Sequence, residues 1–165
     1  MCCRRIKQQL SKATVVLVLP SDGDRDAWLQ RRADANQISG ASRTFVACED
    51  GRVIGFYALA SSAVVPAAAT GRLRRNNPDP VPLVVIGRLA VAHTHHGRGL
   101  GRALFQDAAR RVIHAAEAIG IRGMVVHALS NEANVIYLSL GLDASTLDPM
   151  TLVVTIADLR AARGP

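Results

Sequence analysis

Aromatic side chains are scarce in this chain, at 4% of its residues: three phenylalanines, two tyrosines and one tryptophan. Any core must therefore be built from Val, Leu, Ile and Ala. Cysteine is nearly as rare. Its three residues, two of them adjacent at Cys2 and Cys3, cannot make a disulfide framework, and no Cys-x-x-Cys or Cys/His spacing suits zinc. A reducing cytoplasm is the compartment this usage fits. Long apolar runs are missing too. The longest, 54–70, is interrupted by two serines and a proline, which argues against a membrane-spanning helix. The short run 13–19 follows Arg4, Arg5, Lys7 and Lys12 faintly as in a signal peptide, but no small-residue cleavage pattern comes after it, so an edge strand is expected. Negative charge is the minority sign, with 13 acidic residues against 20 basic ones and a net charge of +7. That surplus suits a polyanionic partner such as nucleic acid, a phosphorylated cofactor or an acidic protein. It fits an arginine-rich composition with no such meaning equally well.

With 165 residues and a hydrophobic fraction of 49%, the chain suits a single globular domain over 1–165. Residues 1–12 are basic and polar and are expected to form a mobile leader. A β-branched stretch at 14–19 reads as a strand ended by Pro20. The acidic, cap-rich segment that follows leads into a helix at about 25–37, stopped by Gly40. Strands are expected at 42–49 and 52–65, joined by the hairpin signal Asp50-Gly51, and Gly55 within the second suggests a bulge or a close backbone approach. Residues 66–80 read as a loop carrying Arg72, Arg74 and Arg75. A strand at 81–92 precedes a long helix whose Leu104, Phe105, Ala108, Ala109, Val112, Ile113 and Ala116 recur at helical spacing. Another strand at 121–127, a short helix capped by Ser130 and ended near Gly141, a strand at 151–156 and a tail at 157–165 complete the chain. The pattern predicts an α/β fold with one mixed sheet flanked by helices.

One junction stands out. A strand-type run leads through His93, His95 and His96 into Gly97-Arg98-Gly99-Leu100-Gly101-Arg102 and then the long helix. Such a junction aims backbone N–H groups and the positive end of a helix dipole at one spot, and glycine lets an anion come close. The spacing is not the dinucleotide fingerprint, and the Lys-Ser/Thr of a P-loop is missing. On these residues alone, the loop could equally be a tight strand-to-helix turn. The three histidines, with no carboxylate or cysteine partner in the motif, are weak evidence for a metal, and none is expected.

His96 to Gly101 resembles the pyrophosphate loop of the Gcn5-related N-acetyltransferases, Gln/Arg-x-x-Gly-x-Gly/Ala, with His96 at the first position. A second signature of that family, Asn, then Ala three residues on, then Tyr, then Gly-Phe, corresponds to Ser130, Ala133, Tyr137 and Gly141-Leu142. A narrower resemblance runs through Trp28-Leu29, Arg31-Arg32-Ala33, Asn36-Gln37, Ser42 to Val46, Gly55 to Leu59, Gly87 to Val91, Val126-His127-Ala128 and Leu147 to Leu152. It is to the tRNA-acetylating toxins of bacterial toxin–antitoxin pairs, whose antitoxins are ribbon-helix-helix proteins. The likeness spans about 26–159. It fails at the N-terminus, where that subfamily has Phe-x-Cys-Gly and this chain has Pro20 to Gly23.

The resemblance implies acetyl-CoA as cofactor, bound by Leu89, Ala90, Val91, His96, Gly97, Arg98, Gly99, Leu100, Gly101, Arg102, Ser130 and Ala133. It implies aminoacyl-tRNA as substrate, a ribbon-helix-helix antitoxin as partner, and a cytoplasmic homodimer. Tyr137, which by itself reads as a core aromatic with a satisfied hydroxyl, becomes the general acid for the leaving thiolate. An α-amino group titrates near 7.7–8.0 and a lysine near 10.4, so a chain without an obvious carboxylate base favours the α-amine as acceptor. Arg31, Arg32, Arg43, Arg72, Arg74 and Arg75 are the expected tRNA contacts. Two alternatives stay open: acetylation of a small amine or a protein N-terminus, and an acyl-CoA-binding module without turnover.

Overall fold

The computed structural model describes residues 6–8, 29–50, 52–75 and 77–162. The expected strand at 14–19 and the start of the first helix lie outside these. The strands are β1 (Ile6–Gln8), β2 (Arg43–Glu49), β3 (Arg52–Val64), β4 (Val81–Val91), β5 (Gly123–His127), β6 (Asp143–Ala144) and β7 (Thr151–Thr155). The helices are α1 (Asp34–Ser39), α2 (Gly71–Arg74), α3 (Leu100–Ala115), α4 (Asn131–Ser139) and α5 (Ile156–Ala162). A π-helical turn, Leu29–Ala33, leads into α1, and 3-10 turns occur at Pro66–Ala68 and His93–His95. Among the described residues the strands form a mixed seven-stranded sheet in the order β1-β2-β3-β4-β5-β7-β6.

The chain divides into two compact units, 1–60 with 87–108 and 61–86 with 109–165. In the first, β2 pairs antiparallel with β1 and with β3. The β3 register moves from Ala47↔Gly55 to Cys48↔Val53, which places the extra residue of a bulge at Ile54. The carbonyl of Ile54 accepts the N–H of Ala92 at 2.8 Å. Gly55 beside it is a close approach: a Cβ there would lie 2.9 Å from Leu104 Cδ1 and 3.1 Å from the Ala90 carbonyl oxygen. The bulge and the close approach that the glycine suggested therefore occur together. Ala33, Val46, Val53, Phe56 and Ala90 form a buried cluster. Tyr57, fully buried and stacked on Phe45 with ring centroids 5.0 Å apart, donates its hydroxyl to the Asp107 carboxylate. Asp107 is the one buried acid on α3 and interrupts a face otherwise apolar, as the helical spacing required.

In the second unit β4 and β5 run parallel from Leu83↔Gly123 to Ile86↔Val126, and β7 pairs antiparallel with β5 from Gly123↔Thr155 to His127↔Thr151. Ala69, Leu73, Val81, Leu83, Val125 and Val153 make its core cluster. Three expectations are corrected. The loop at 66–80 contains the Pro66–Ala68 turn and α2, which buries Leu73 and Ala69. The strand at 151–156 stops at Thr155, and the tail begins with α5, which buries Ile156 and Leu159. The first helix extends past Gln37 to Ser39 and ends, as Gly40 required, with a left-handed residue at φ 80°. Within the expected leader, Ile6 to Gln8 pair with Ala47 to Phe45.

Candidate active site

In the first unit, β4 carries Leu89, Ala90 and Val91 to the His93–His95 turn, with Ala90 buried and its neighbours half-buried. Gly97 and Gly99 then take φ of 70° and 74°, a region that L side chains avoid. No atom lies within 4 Å of where a Cβ would stand at either residue, so the backbone conformation, not crowding, demands glycine. Gly101, already helical, packs ordinarily, its hypothetical Cβ 3.7 Å from Val91 Cγ2. Leu100, which starts α3, is buried, while Arg98 and Arg102 on either side are exposed. The first N–H groups of this 16-residue helix have no carbonyl partner one turn back, so the loop presents donors and a positive dipole end flanked by two guanidinium groups.

The histidines divide their work. His95 is buried and its Nε2 lies 2.7 Å from Glu49 Oε2, with Thr94 Oγ1 2.9 Å from Nδ1. It ties the turn to the end of β2, a role the sequence pattern did not assign. His96, at the loop's first position, is exposed and donates from Nε2 to the Val91 carbonyl at 2.9 Å, while its ring lies 4.6 Å from that of His93. At this position, which the resemblance assigns to the cofactor, the imidazole also holds the loop's start against the end of β4. Among the described residues no group of three or more His, Cys, Asp or Glu side chains is arranged to hold a metal.

In the second unit, Ser130 caps α4, its hydroxyl accepting the Ala133 N–H at 3.2 Å. The same hydroxyl and the Glu132 backbone hold the Glu132 carboxyl below its ordinary value, the backbone contributing more. Tyr137, half-buried, follows Asn134 by three residues and Ala133 by four, on the same side of the helix. Asn134 Nδ2 donates to the Pro149 carbonyl at 2.7 Å and fixes α4 against the turn before β7. That turn holds a network that the sequence pattern did not disclose. His127 Nδ1 lies 2.9 Å from Thr151 Oγ1, which donates to Asp148 Oδ2 at 2.7 Å, and Asp148 Oδ1 accepts the Met150 N–H at 2.9 Å. The Asp148 carboxyl is held below its ordinary value, by Thr151 first and then by Met150. The available signal was Asp148-x-x-Thr151, a local side-chain turn, together with a histidine at the end of an apolar strand.

The arginines fall in both units. Arg31 and Arg32 are exposed on the π-helical turn, and Arg43 donates to the Gln37 carbonyl at 2.8 Å. Arg72 and Arg74 belong to α2, their side chains outside those described, and Arg75 lines an open surface pocket with Thr70, Gly71 and Asp143. The expected loop patch is thus largely helical in backbone.

Residues 40–141 match the family model described as acetyltransferase (GNAT) domain. This chain belongs to that family. The GNAT match covers both the glycine loop and Tyr137. Among curated proteins, a tRNA-acetylating toxin of Mycobacterium tuberculosis is 50% identical over 139 residues, which is 84% of either chain. Solved structures with the same fold include AtaT complexed with acetyl-methionyl-tRNAfMet, at 24% identity over 86% of each chain and a TM-score of 0.80. A mutant AtaT toxin bound to the C-terminus of the antitoxin AtaR and acetyl-CoA aligns over 97% of each chain, at 22% identity and a TM-score of 0.78. The mixed sheet with its flanking helices is the GNAT fold, and the protein is an acetyltransferase.

Proposed function

We propose that this acetyltransferase is the toxin of a toxin–antitoxin pair and that it moves the acetyl group of acetyl-CoA to the α-amino group of aminoacyl-tRNA, blocking translation. The observation that carries this reading is the 50% identity, over 84% of both chains, to a tRNA-acetylating toxin. The N–H groups from Gly97 to Gly101 receive the pyrophosphate, helped by Arg98 and Arg102. The backbone of Leu89 to Val91 takes the pantetheine arm as an added strand, and an N–H there polarises the thioester carbonyl. Ser130 and Ala133 contact the cofactor from the first turn of α4. Tyr137 gives its hydroxyl proton to the departing sulfur. Arg31, Arg32, Arg43, Arg72, Arg74 and Arg75 contact tRNA phosphates.

The partner in this reading is a ribbon-helix-helix antitoxin. The chain acts as one domain in the cytoplasm and pairs with a second copy. Val135, Ile136 and Leu138, exposed on α4, support self-association. No helix among the described residues is long and apolar enough to cross a membrane.

Incubation with acetyl-labelled acetyl-CoA and total charged tRNA tests the reading. Label should appear on aminoacyl-tRNA and be released by mild base as an N-acetyl amino acid. Label found only on small amines or protein N-termini would replace the reading, and none on any acceptor would leave a binding module.

A further inference from the structure

We propose that His127 is the catalytic base that takes the proton from the acceptor ammonium group, with Thr151 and Asp148 as its positioning residues. The inference rests on the reading that the acceptor is the α-amine of aminoacyl-tRNA.

The hydrogen bonds assign the imidazole's state. A threonine hydroxyl has one proton, and Thr151 spends it on Asp148 Oδ2 at 2.7 Å. Its oxygen can therefore only accept from His127, so the proton of the neutral ring is on Nδ1, 2.9 Å away. Nε2 is left with its lone pair, on a side chain that is exposed. Asp148 is fixed in turn by the Met150 N–H at 2.9 Å, so the chain of bonds from the Met150 amide through Asp148 and Thr151 holds the ring in place. Through Thr151, Asp148 is the carboxylate linked to the ring by hydrogen bonds.

Position supports the role. His127 and Thr151 are the last register pair of β5 and β7, directly opposite and so on one face of the sheet. His127 comes one residue after the end of the parallel β4–β5 ladder, and carboxyl ends of parallel strands are where open α/β sheets bind ligands. Asn134, three residues before Tyr137, is bonded to the Pro149 carbonyl next to Asp148. The proposed acid and the proposed base thus stand on segments pinned to the same turn.

The chemistry also selects the acceptor. An α-amino group, near 7.7–8.0 and lower still beside an ester, gives up its proton far more readily than a lysine near 10.4. In the reaction, Nε2 removes one proton from the ammonium group and the freed nitrogen pair bonds to the thioester carbon. The C–S bond breaks with its electrons on sulfur, which takes the Tyr137 proton. The nitrogen's second proton restores the tyrosine, and His127 passes the first to water. Ammonium ion and thioester become amide, thiol and one released proton.

Single-turnover rates against pH, with labelled acetyl-CoA and charged tRNA, test the role. His127→Gln should lower the rate about 10²-fold and remove the acid limb of the profile, with acetyl-CoA affinity by calorimetry unchanged. Imidazole added to His127→Ala should restore rate. Thr151→Val should cause a smaller loss that Thr151→Ser does not. Wild-type rate and an unaltered acid limb in His127→Gln, with wild-type protein active on charged tRNA, would overturn the base. Wild-type protein inert on charged tRNA would overturn the substrate reading first, before any variant is made. Should His127→Gln fail to fold, an absence of imidazole rescue in a folded His127→Ala decides against the role.

Discussion

Gly99, at φ 74°, has open space around its missing side chain, so a substitution there acts through backbone strain and through what it denies a ligand. A non-glycine residue in this region costs about 1–2 kcal/mol, which a folded domain can survive. Gly99→Glu should therefore remain folded while losing acetyl-CoA binding, because it sets a carboxylate among donors meant for phosphate. Calorimetric affinity equal to wild type in the folded variant would remove the loop from the cofactor site. Tyr137 is the complementary case. Tyr137→Phe should keep cofactor affinity and lose about 10²–10⁴-fold in turnover. A near-native rate would make its hydroxyl structural and pass the acid role to water.

At the level of elements, most of the architecture was legible because its signals are periodic. The apolar positions expected along α3 are buried, except Ala116, which lies just past its end and is half-buried, and Arg102, Gln106, Arg110, His114 and Glu117 are exposed. Asp107 broke that pattern, since its burial depends on Tyr57 from a distant strand, which no local spacing reveals. Short elements were lost for a different reason. Four residues of α2 and two of β6 are too few to show a period. The start of α5 did carry a signal: Thr155 Oγ1 accepts the Asp158 N–H at 3.0 Å and donates to its carboxylate at 2.7 Å. This cap was hidden because it stands at the end of the β-branched run that forms β7. The site was legible where chemistry is confined to a motif, as in the glycine loop. It was not legible where it depends on pairing, as with His127 and Thr151, 24 residues apart and joined by strand register. The β3 bulge gives the test at this scale. Gly55→Val would press on Leu104 and on the Ala90 carbonyl, which, being backbone, cannot rotate away. A destabilisation of about 1–3 kcal/mol is expected, read from the urea midpoint. Unchanged stability would mean that β3 and α3 can separate at no cost.

For the molecule as a whole, the net charge of +7 acquires meaning only if part of it meets phosphate. Replacing Arg72, Arg74 and Arg75 by glutamine should weaken tRNA binding and reduce the log–log salt slope by roughly 0.7–0.9 for each phosphate left without its arginine. Acetyl-CoA affinity should hold, because its phosphates are assigned to the glycine loop. An unchanged salt profile would make these three arginines ordinary solvated residues.

The scarcity of aromatics has an optical consequence for the other group of arginines. Trp28 is the chain's only indole, and in sequence it directly precedes the π-helical turn that bears Arg31 and Arg32. Fluorescence excited at the red edge of tyrosine absorption thus comes from one place, with no engineered label. Titrating deacylated tRNA, which cannot react, should change that emission, and replacing Arg31 and Arg32 by alanine should abolish the change. Acetyl-CoA, assigned to another stretch of the chain, should leave it alone. An emission indifferent to tRNA would remove these two arginines from the nucleic-acid surface while leaving the loop arginines to be judged by their salt slope.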